Sequence, residues 1–553
     1  MASFAPAAPA ADRPVHHSWI ANRQVPGRGP QRDAVDPAGG GAFASASLLD
    51  AEQAKGAIAA AQQAFPAWAA MPFAERGRLL LRLRDRILGE AEEIAQLIHR
   101  EQGKPPAEAH AVEIFPALEA LKHLALHAEE ILRDDAVEGQ SLLLAHKDSR
   151  IVYAPLGPVL VITPWNYPFG IAMTGVAAAL AAGNTVVLKP APATTLIGLR
   201  IGALARDAGL PDGVLSVVAV EDTVAATLTE DPRIAKIVFT GSTATGRKIM
   251  TAAARNLTPV LLELGGKDPA VVCRDADLDR AARGIVWGAF VNAGQTCASV
   301  ERVYVEEAVA EAFVARVVEE AARLRVGGAD GDMGPMTLER QRDIVEEHVA
   351  DAVARGATVR AGGVTPKGPG WFYPPTVLTG VDHTMRVMRE ETFGPVLPIM
   401  SVPSLEDAIR LANDSEYGLT ASGWTRDPDV ARRLCERLSA GVVTINDCVY
   451  SYGEPTAPWG GVRQSGIGRT HGAAGLREMV SAKYVAAEFR RGPNLWWYPY
   501  GGEFHRLMSA ANASLHGDGI VLRLRALITL LGSRRFWRRV RVGGILRHID
   551  KLF

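Results

Sequence analysis

Cysteine is scarce in this sequence: the 553 residues include four, Cys273, Cys297, Cys435 and Cys448. They show no CxxC pair and no metal-ligand spacing, so we expect neither a disulfide framework nor a metal site, and a reducing compartment fits better. Long apolar runs are also missing, since no stretch has the unbroken length of about 20 residues needed to span a bilayer. The Ala- and Pro-rich residues 1–15 contain no apolar core, which predicts a disordered tail and not a signal peptide.

An excess of charge of either sign is missing too. The chain has 60 Lys and Arg residues against 61 Asp and Glu residues, which argues against nucleic acid as a partner of the whole protein. Its length exceeds what one hydrophobic core normally organises, so we expect two or three domains with room for a buried site between them.

The spacing of apolar residues changes along the chain and indicates where helices give way to strands. From Leu48 to Ala136 apolar residues recur every three or four positions, as in amphipathic helices, with Asp50 as the expected cap of the first. Near Leu142 the period changes to that of strands, which are broken by Gly157 and by prolines.

Strands and helices then alternate. The strand patterns are apolar and β-branched, and they occupy residues 158–164, 184–190, 213–220 and 235–241. They predict a parallel sheet covered on both faces, as in doubly wound, Rossmann-like domains that bind dinucleotides. A second α/β series begins at residues 259–266, includes a charged helix from Glu306 to Arg325, and ends with a strand at 441–447. The fold class is therefore α/β, with a second α/β domain after the first.

The segment NAGQTCAS, residues 292–299, places Cys297 among small and polar residues, where a substrate can reach its thiol. This setting favours a nucleophile, although a cysteine taken alone is more often a buried core residue. Asn166, in the loop ITPWNYPFG, offers an amide donor for an oxyanion, with an ordinary turn as the alternative. Glu263, in LLELGGKDP, is a candidate general base because burial would raise its carboxyl pKa; pairing with an arginine is the alternative.

Three further segments carry groups that suit a nucleotide. Lys189 ends the strand NTVVLKP, where it would reach a ribose or phosphate, or else stay solvated. The segment FTGSTATG, residues 239–246, runs from a strand through a glycine-rich turn into a helix, which brings backbone N–H groups to an anion. It is neither a GxGxxG nor a P-loop pattern. In EETFGPV, residues 390–396, an acid and an aromatic stand two apart; an ordinary turn is again the alternative.

These segments together carry a resemblance to a known family. PWNYP, LKP, FTGSTATG, LELGGKDP, GQTC, EETFGPV and PWGGVRQSGIGR occur in the order and approximate spacing of the NAD(P)-dependent aldehyde dehydrogenase superfamily. The resemblance covers residues 16–490 and favours the nucleophile over the core cysteine at Cys297.

What the resemblance implies is the oxidation of an aldehyde to a carboxylic acid. Cys297 would form a thiohemiacetal whose oxygen is held by the side chain of Asn166 and the backbone N–H of Cys297. Glu263 would activate the water that hydrolyses the resulting thioester, and its presence favours hydrolysis over transfer to coenzyme A. A catalytically silent structural or binding protein on the same scaffold is the alternative; it would be expected to have lost one of these three residues.

The family pattern also implies the cofactor contacts, which are Ile162, Trp165, Lys189, Gly241, Ser242, Leu264, Glu391 and Phe393. Trp165 and Ser242 would lie near the pyrophosphate, and Lys189 at the adenosine ribose. Many NAD-preferring relatives carry a glutamate three residues after the lysine, but this chain has Pro192. NADP could therefore be admitted, and the expectation is NAD or NADP, with NAD slightly favoured.

The resemblance implies a division of the chain as well. The expected parts are a disordered tail (1–15), a cofactor-binding domain (16–262) with oligomerisation strands near 140–156, a catalytic domain (263–447), a return to the cofactor domain with an oligomerisation strand (448–490), and a C-terminal extension (491–553). A homodimer or homotetramer is expected.

The substrate is indicated by two regions. Trp459, in PTAPWGG, stands where relatives line the substrate tunnel, and an apolar aldehyde is mildly favoured. The extension concentrates aromatic residues after Arg491 and has one acid, Asp550, between residues 519 and 553. Basic amphipathic segments of this kind lie on membrane surfaces; packing across a neighbouring subunit, or over the tunnel mouth, is an equal alternative. We expect a cytoplasmic protein, with peripheral association at the inner membrane face left open.

Overall fold

The computed structural model describes residues 13–137, 147–489, 494, 496–498, 500–534 and 536. The chain divides into two compact units. The first contains the residues up to Ile131 together with Pro155–Val480, and the second contains Leu132–Ala154 and the residues from Ser481 onward. Most of the expected N-terminal tail, residues 1–12, lies outside the described residues.

The helices follow from amphipathic patterns and local caps. The first begins after Asp50, which accepts the backbone N–H of Gln53 while the Gln53 side chain accepts that of Asp50. The helices are, in chain order, α1 (Ala51–Ala70), α2 (Phe73–Gly89), α3 (Ala91–Gln102), α4 (Pro106–Ala109), α5 (Phe115–Ile131), α6 (Gly170–Ala181), α7 (Thr195–Asp207), α8 (Asp222–Thr229), α9 (Thr243–Ala253), α10 (Leu278–Phe290), α11 (Glu307–Ala322), α12 (Glu339–Ala354), α13 (Arg386–Arg389), α14 (Leu405–Asn413), α15 (Pro428–Arg437), α16 (Gly472–Arg477), α17 (Gly502–His516) and α18 (Ile520–Leu531).

The strands of the large sheets are short, apolar and mostly buried, as parallel strands covered on both faces must be. The strands are, in chain order, β1 (Val15–His16), β2 (Ser18–Ile20), β3 (Arg23–Val25), β4 (Gln31–Val35), β5 (Ala42–Ser47), β6 (Asp135–Ala136), β7 (Asp148–Pro155), β8 (Pro158–Ile162), β9 (Thr185–Lys189), β10 (Leu215–Val217), β11 (Lys236–Thr240), β12 (Val260–Glu263), β13 (Asp268–Val272), β14 (Val300–Glu306), β15 (Thr358–Ala361), β16 (Thr376–Thr379), β17 (Val396–Val402), β18 (Thr420–Trp424), β19 (Val442–Ile445), β20 (Gly466–Ile467) and β21 (Val480–Ala487).

The first large sheet has the order β20-β12-β11-β8-β9-β10-β2-β3. Its five central strands are parallel, and β20 and β2 join them antiparallel. From β8 the chain passes to β9 and β10 on one side, and then returns to β11 and β12 on the other. The order therefore reverses between β8 and β11, and such a switch point is where doubly wound sheets bind ligands. The expected α/β class is confirmed.

The second large sheet has the order β15-β16-β17-β14-β13-β18-β19, parallel except for the edge strand β15. We expected this series to begin at residues 259–266, and that was wrong. Strand β12 pairs with β11 in the first sheet, because α9 returns the chain to the same layer. Both sheets belong to the first unit, so the domain boundaries at 262 and 447 stay predictions.

The second unit contains a three-stranded sheet and a helical hairpin. The sheet has the order β21-β7-β6, and residues 138–146 of the expected oligomerisation region lie outside the described residues. Helices α17 and α18 pack through Leu507, Ala511 and Leu530. Helix α18 leaves several apolar side chains exposed. Among the described residues, no helix is long and apolar enough to cross a membrane.

Candidate active site

The carboxyl ends of strands in the first sheet open onto a cavity of about 900 Å³, which we call the sheet-edge cavity. Loops that follow parallel strands at a switch point are the usual ligand sites of such sheets. Catalytic and cofactor residues expected from the sequence line this cavity together: Ile162, Trp165, Asn166, Lys189, Gly241, Ser242, Glu263, Leu264, Cys297, Glu391 and Phe393.

A second cavity, of about 670 Å³, also has Cys297 in its wall. We call it the apolar cavity, because aromatic and aliphatic side chains form much of its lining: Phe115, Leu126, Tyr167, Ile171, Trp287, Tyr450, Tyr452 and Trp459. Trp459, expected at a substrate tunnel, is 2% exposed, and its ring meets that of Tyr452 edge to face at 5.0 Å. Cys297 thus lies where the two cavities meet.

A strained turn between α10 and β14 positions Cys297. Asn292 and Ala293 adopt left-handed backbone conformations, with φ of 57° and 54°, which cost energy for residues other than glycine. The Nδ2 of Asn292 donates to the carbonyl of Gln295 at 3.1 Å and to that of Asn166 at 2.9 Å. These bonds impose the turn, and so they fix the thiol that follows it.

Asn166 is buried, with its amide held beside the nucleophile. Its Nδ2 donates to the backbone carbonyl of Gln295 at 2.9 Å, two residues before Cys297. Because a side-chain amide nitrogen carries two hydrogens, one donor remains for a substrate oxygen. The sequence pattern had offered an ordinary turn as the alternative, and the side chain instead points to the loop of Cys297.

A buried ion pair supports the loop that carries Asn166. Lys104 Nζ lies 2.7 Å from Glu113 Oε1 and donates to the carbonyl of Asn166 at 3.0 Å. The other oxygen of Glu113 accepts the backbone N–H groups of Phe169 and Gly170, at 2.8 and 3.0 Å. Glu113 stands on a π-helical turn between α4 and α5. A buried pair with these extra hydrogen bonds fixes the geometry of the loop around it.

The surroundings of Cys297 favour the thiol over the thiolate. Burial raises its pKa well above the ordinary value, and the nearby carboxyl groups of Glu391, Asp268 and Glu263 raise it further. Since the thiolate is the nucleophile, attack requires a base that takes the proton or a positive charge that stabilises the anion.

Glu263 has the surroundings of a general base. It ends β12, is 3% exposed, and neither carboxylate oxygen has a hydrogen-bond partner among the residues that the structure describes. Burial raises its pKa well above the ordinary value, and Arg469 acts in the opposite direction. A Cβ at Gly460 would lie 2.8 Å from Glu263 Oε1, so the glycine leaves space beside the carboxyl. A buried carboxyl of this kind can accept a proton near neutral pH.

The rest of the sheet-edge cavity fits a dinucleotide. Ser242 caps α9, whose N-terminus can receive a pyrophosphate through backbone N–H groups. The rings of Trp165 and Phe393 meet edge to face at 5.4 Å. A Cβ at Gly265 would lie 2.5 Å from Glu391 Oε2, so this close approach requires glycine. Together these features form a concave site, and a side chain at Gly265 would fill part of it.

Lys189 has an ion-pair partner that the sequence did not reveal. Lys189 ends β9, and its Nζ lies 3.0 Å from Oδ1 of Asp222, the first residue of α8. Pro192 lines the same cavity. The Oγ1 of Thr163, also in the wall, is buried without a hydrogen-bond partner in the described part of the chain, which leaves a polar group for a ligand.

Sequence reasoning also missed Tyr167, Lys104 and Glu113. The hydroxyl of Tyr167 lies 2.6 Å from Thr296 Oγ1, next to Cys297 in sequence, and Lys104 Nζ lies 3.9 Å from the Tyr167 ring centroid. Tyr167 follows Asn166 in the NYP motif, which could have indicated it. The other two act through partners far away in sequence.

The fold and the cavities are those expected of a class of enzyme with a nucleotide-binding sheet and a nucleophilic cysteine, since Cys297 lies at the junction of two cavities. A sequence model of the aldehyde dehydrogenase family matches residues 25–485. The chain is 40% identical over 459 residues to a 4,4'-diapolycopene aldehyde oxidase from Methylomonas sp., covering 82% of this chain and 86% of that protein. It is 37% identical to the succinate-semialdehyde dehydrogenase [NADP(+)] GabD of Escherichia coli K12, covering 82% and 93%.

Solved structures agree. The crystal structure of an NAD-dependent aldehyde dehydrogenase from Sinorhizobium meliloti superposes with a TM-score of 0.84 at 35% identity, covering 88% of this chain and 97% of that one. The chain belongs to the aldehyde dehydrogenase family, as its motifs indicated. It is an NAD(P)-dependent aldehyde dehydrogenase, an enzyme that oxidises aldehydes to acids, which resolves the alternative of a silent scaffold.

Proposed function

We propose that this enzyme oxidises a lipophilic aldehyde through a thioester on Cys297. The observation that carries the proposal is that Cys297 is the residue shared by the sheet-edge cavity and the apolar cavity. A substrate entering through the apolar cavity would reach the sulfur from one wall, while a dinucleotide would occupy the other cavity.

The chemistry follows from the groups around the sulfur. The Cys297 thiol gives up its proton to solvent, the resulting thiolate attacks the aldehyde carbon and forms a C–S bond, and the oxyanion of the thiohemiacetal is held by Asn166 Nδ2 and the backbone N–H of Cys297. The residues of the sheet-edge cavity would hold a nicotinamide dinucleotide, which would supply the hydride acceptor needed to convert the thiohemiacetal into a thioester. Glu263 takes a proton from water as the water attacks; the C–S bond then breaks, the acid leaves, and the sulfur returns to its starting state.

The cofactor contacts are part of the same proposal. Lys189 holds the adenosine ribose. The pyrophosphate is held by Gly241 and Ser242, with Ile162 and Trp165 beside it, and the nicotinamide end is held by Leu264, Glu391 and Phe393.

The four cysteines are all unpaired, which supports a reducing cytoplasmic setting. We place self-association, as a homodimer or homotetramer, at the edge strand β21, whose open edge can pair with another chain.

The lining of the apolar cavity supports a lipophilic substrate. Trp287, Tyr450 and Trp459 are aromatic, and they offer apolar area to a hydrocarbon chain. The lysine in the wall, Lys122, lies 3.7 Å from Glu119, so its charge is matched by an acid. The similarity to an oxidase named for 4,4'-diapolycopene aldehyde agrees with a long apolar substrate.

A panel of aldehydes tests the substrate. We expect kcat/KM to rise from butanal to decanal by about fourfold per methylene until the cavity is filled, since each buried CH₂ contributes about 0.8 kcal/mol. Formation of the reduced nicotinamide is the measurement, and Trp459→Ala should lose more activity on decanal than on butanal. A preference for succinic semialdehyde over pentanal, which is similar in length, would contradict an apolar site.

Helix α18 supports a place for the enzyme at a membrane surface. Ile520, Val521, Leu524 and Ile528 are all exposed on it, beside the exposed Arg523 and Arg525. We infer that this helix lies on an anionic bilayer, with apolar side chains inward and arginines at the headgroups. The basic residues from 537 to 553, on which the sequence argument also relied, lie outside the described residues.

Vesicle binding tests the helix. The double substitution Leu524→Asp with Ile528→Asp should weaken binding to phosphatidylglycerol vesicles at least about tenfold, because two apolar side chains leave the bilayer. Val364→Asp, at an equally exposed site in the first unit, is the matched control and should bind as the unmodified enzyme does. Unchanged sedimentation of the double variant with vesicles would favour packing against a neighbouring subunit or over the tunnel mouth.

A further inference from the structure

We propose that Asp222 selects NAD over NADP by binding the hydroxyls of the adenosine ribose. The inference rests on the proposed cofactor site and adds a residue to it. Asp222 and Lys189 both line the sheet-edge cavity, with Lys189 Nζ 3.0 Å from Asp222 Oδ1. The Lys189 side chain is 6% exposed, whereas that of Asp222 is 81% exposed, so the carboxylate is accessible to a ligand while the ammonium that pairs with it is buried.

The chemistry of this pair favours a diol over a phosphate. A carboxylate only accepts hydrogen bonds, and a ribose with free 2′- and 3′-hydroxyls can donate two. A 2′-phosphate has no proton to donate at neutral pH and would place negative charge beside Asp222. The ion pair also engages the Lys189 ammonium, which would otherwise be a ready partner for that phosphate.

The position three residues after Lys189 does not carry an acid in this chain. That position is Pro192, which also lines the cavity and offers neither charge nor donor. Asp222 brings a carboxylate to Lys189 from a different element, the start of α8, thirty-three residues along the chain. An acid at the ribose is how dinucleotide-binding sheets commonly distinguish the two cofactors.

Other charges in the same cavity wall could compete for a 2′-phosphate. They are Lys248 on α9 and Arg340 on α12, with Glu230 as a further acid. None of them has an ion pair with Lys189 among the described contacts, and Glu230 pairs with Arg255 at 2.9 Å. The experiment therefore has to separate the Lys189 pair from the rest of the wall.

A simpler role for Asp222 is to stabilise α8, because an acidic side chain near a helix N-terminus interacts favourably with the helix dipole. The neighbouring residue provides a matched control for it. Glu221 precedes the first residue of the same helix, pairs with Arg32 at 2.8 Å, and does not line the cavity. If only the charge of the helix end matters, Glu221→Gln and Asp222→Asn should act alike.

The test measures the dissociation constants of NAD⁺ and NADP⁺ by isothermal titration calorimetry, without turnover. We expect the unmodified enzyme to bind NAD⁺ at least about tenfold more tightly than NADP⁺, as loss of charge-assisted hydrogen bonds implies. Asp222→Asn should reduce that ratio at least about tenfold, weakening NAD⁺ and strengthening NADP⁺. Asp222→Ser is a second variant that removes the carboxylate and should reduce the ratio as Asp222→Asn does, and Glu221→Gln should leave the ratio unchanged.

The outcomes separate this inference from the proposed function. Equal ratios in the unmodified enzyme and Asp222→Asn, with NAD⁺ still bound, would overturn the role of Asp222 and leave the cofactor cavity intact. A shift in Glu221→Gln as large as in Asp222→Asn would overturn it in favour of the helix charge. Failure of Lys189→Ala to weaken either nucleotide would overturn both, because the cavity would then not be the cofactor site.

Discussion

Replacing Cys297 by alanine is expected to lower kcat for aldehyde oxidation at least about ten-thousand-fold, since the variant has no nucleophile at the junction of the two cavities. The cofactor should still bind with an unchanged dissociation constant, because the proposed contacts to it lie on other residues. The measurement is formation of the reduced nicotinamide with octanal, together with thermal unfolding to establish that the fold is kept.

The matched control is Cys435→Ala. Cys435 is an exposed cysteine on α15 and lies outside the walls of both cavities, so its loss should leave kcat unchanged. If Cys297→Ala kept more than about a hundredth of the activity, the sulfur would not be the nucleophile.

Replacing Glu263 by glutamine is expected to stop turnover at a later stage. The amide cannot take a proton from water, so steady-state kcat should fall by about a thousandfold. Acylation needs no water, and a burst of about one reduced nicotinamide per subunit should precede the slow phase. Rapid mixing gives the burst, and mass spectrometry of the quenched enzyme should find the acyl group on Cys297.

The pH dependence of this step should follow the raised pKa of Glu263. The base works only when deprotonated, so kcat of the unmodified enzyme should rise with pH through a value above the ordinary carboxyl range, and the variant should lack that rise. A burst that is absent while kcat falls would contradict hydrolysis by Glu263, because the acylation step would then be the one affected.

The unfolding temperature of Glu263→Gln gives an independent test of the raised pKa of Glu263. The folded-state pKa of Glu263 lies above its unfolded value, so the carboxyl's contribution to stability is fully present below the unfolded pKa and is lost as pH rises through the folded pKa. Glu263→Gln should therefore unfold at a higher temperature than the unmodified enzyme at alkaline pH, and at a similar temperature in acid. Glu311→Gln, at an exposed glutamate on α11, is the control and should leave the unfolding temperature unchanged at both alkaline and acid pH.

The candidate residues for the chemistry could be predicted from sequence because each belongs to a short local motif. Cys297 stands in GQTC and Asn166 in NYP, and the structure brings both to one cavity. Lys104 could not be recognised in this way, because it meets Asn166 across sixty-two residues of chain. Asp222 is similar, since its pairing with Lys189 depends on two separate elements, the strand β9 and the helix α8.

The periodicity of apolar residues predicted the positions of helices and strands better than it predicted which sheet a strand joins. The charged helix expected at Glu306 to Arg325 is found as α11 (Glu307–Ala322). The strand at 259–266 was found but assigned to the wrong sheet, because apolar strands of either sheet carry the same pattern. Which layer a strand joins is decided by the helix before it, and no local residue marks that choice.

The junction of the two cavities at Cys297 also determines how products leave. If the aldehyde and the dinucleotide approach the sulfur through different openings, the acid can depart along one path while the reduced cofactor still occupies the other. Neither product then has to wait for the other on steric grounds, and the order of their release depends on affinity alone. If the proposed function holds, the lining of the nucleotide cavity and that of the aldehyde cavity can accordingly change independently of each other, because Cys297 is the residue that they share.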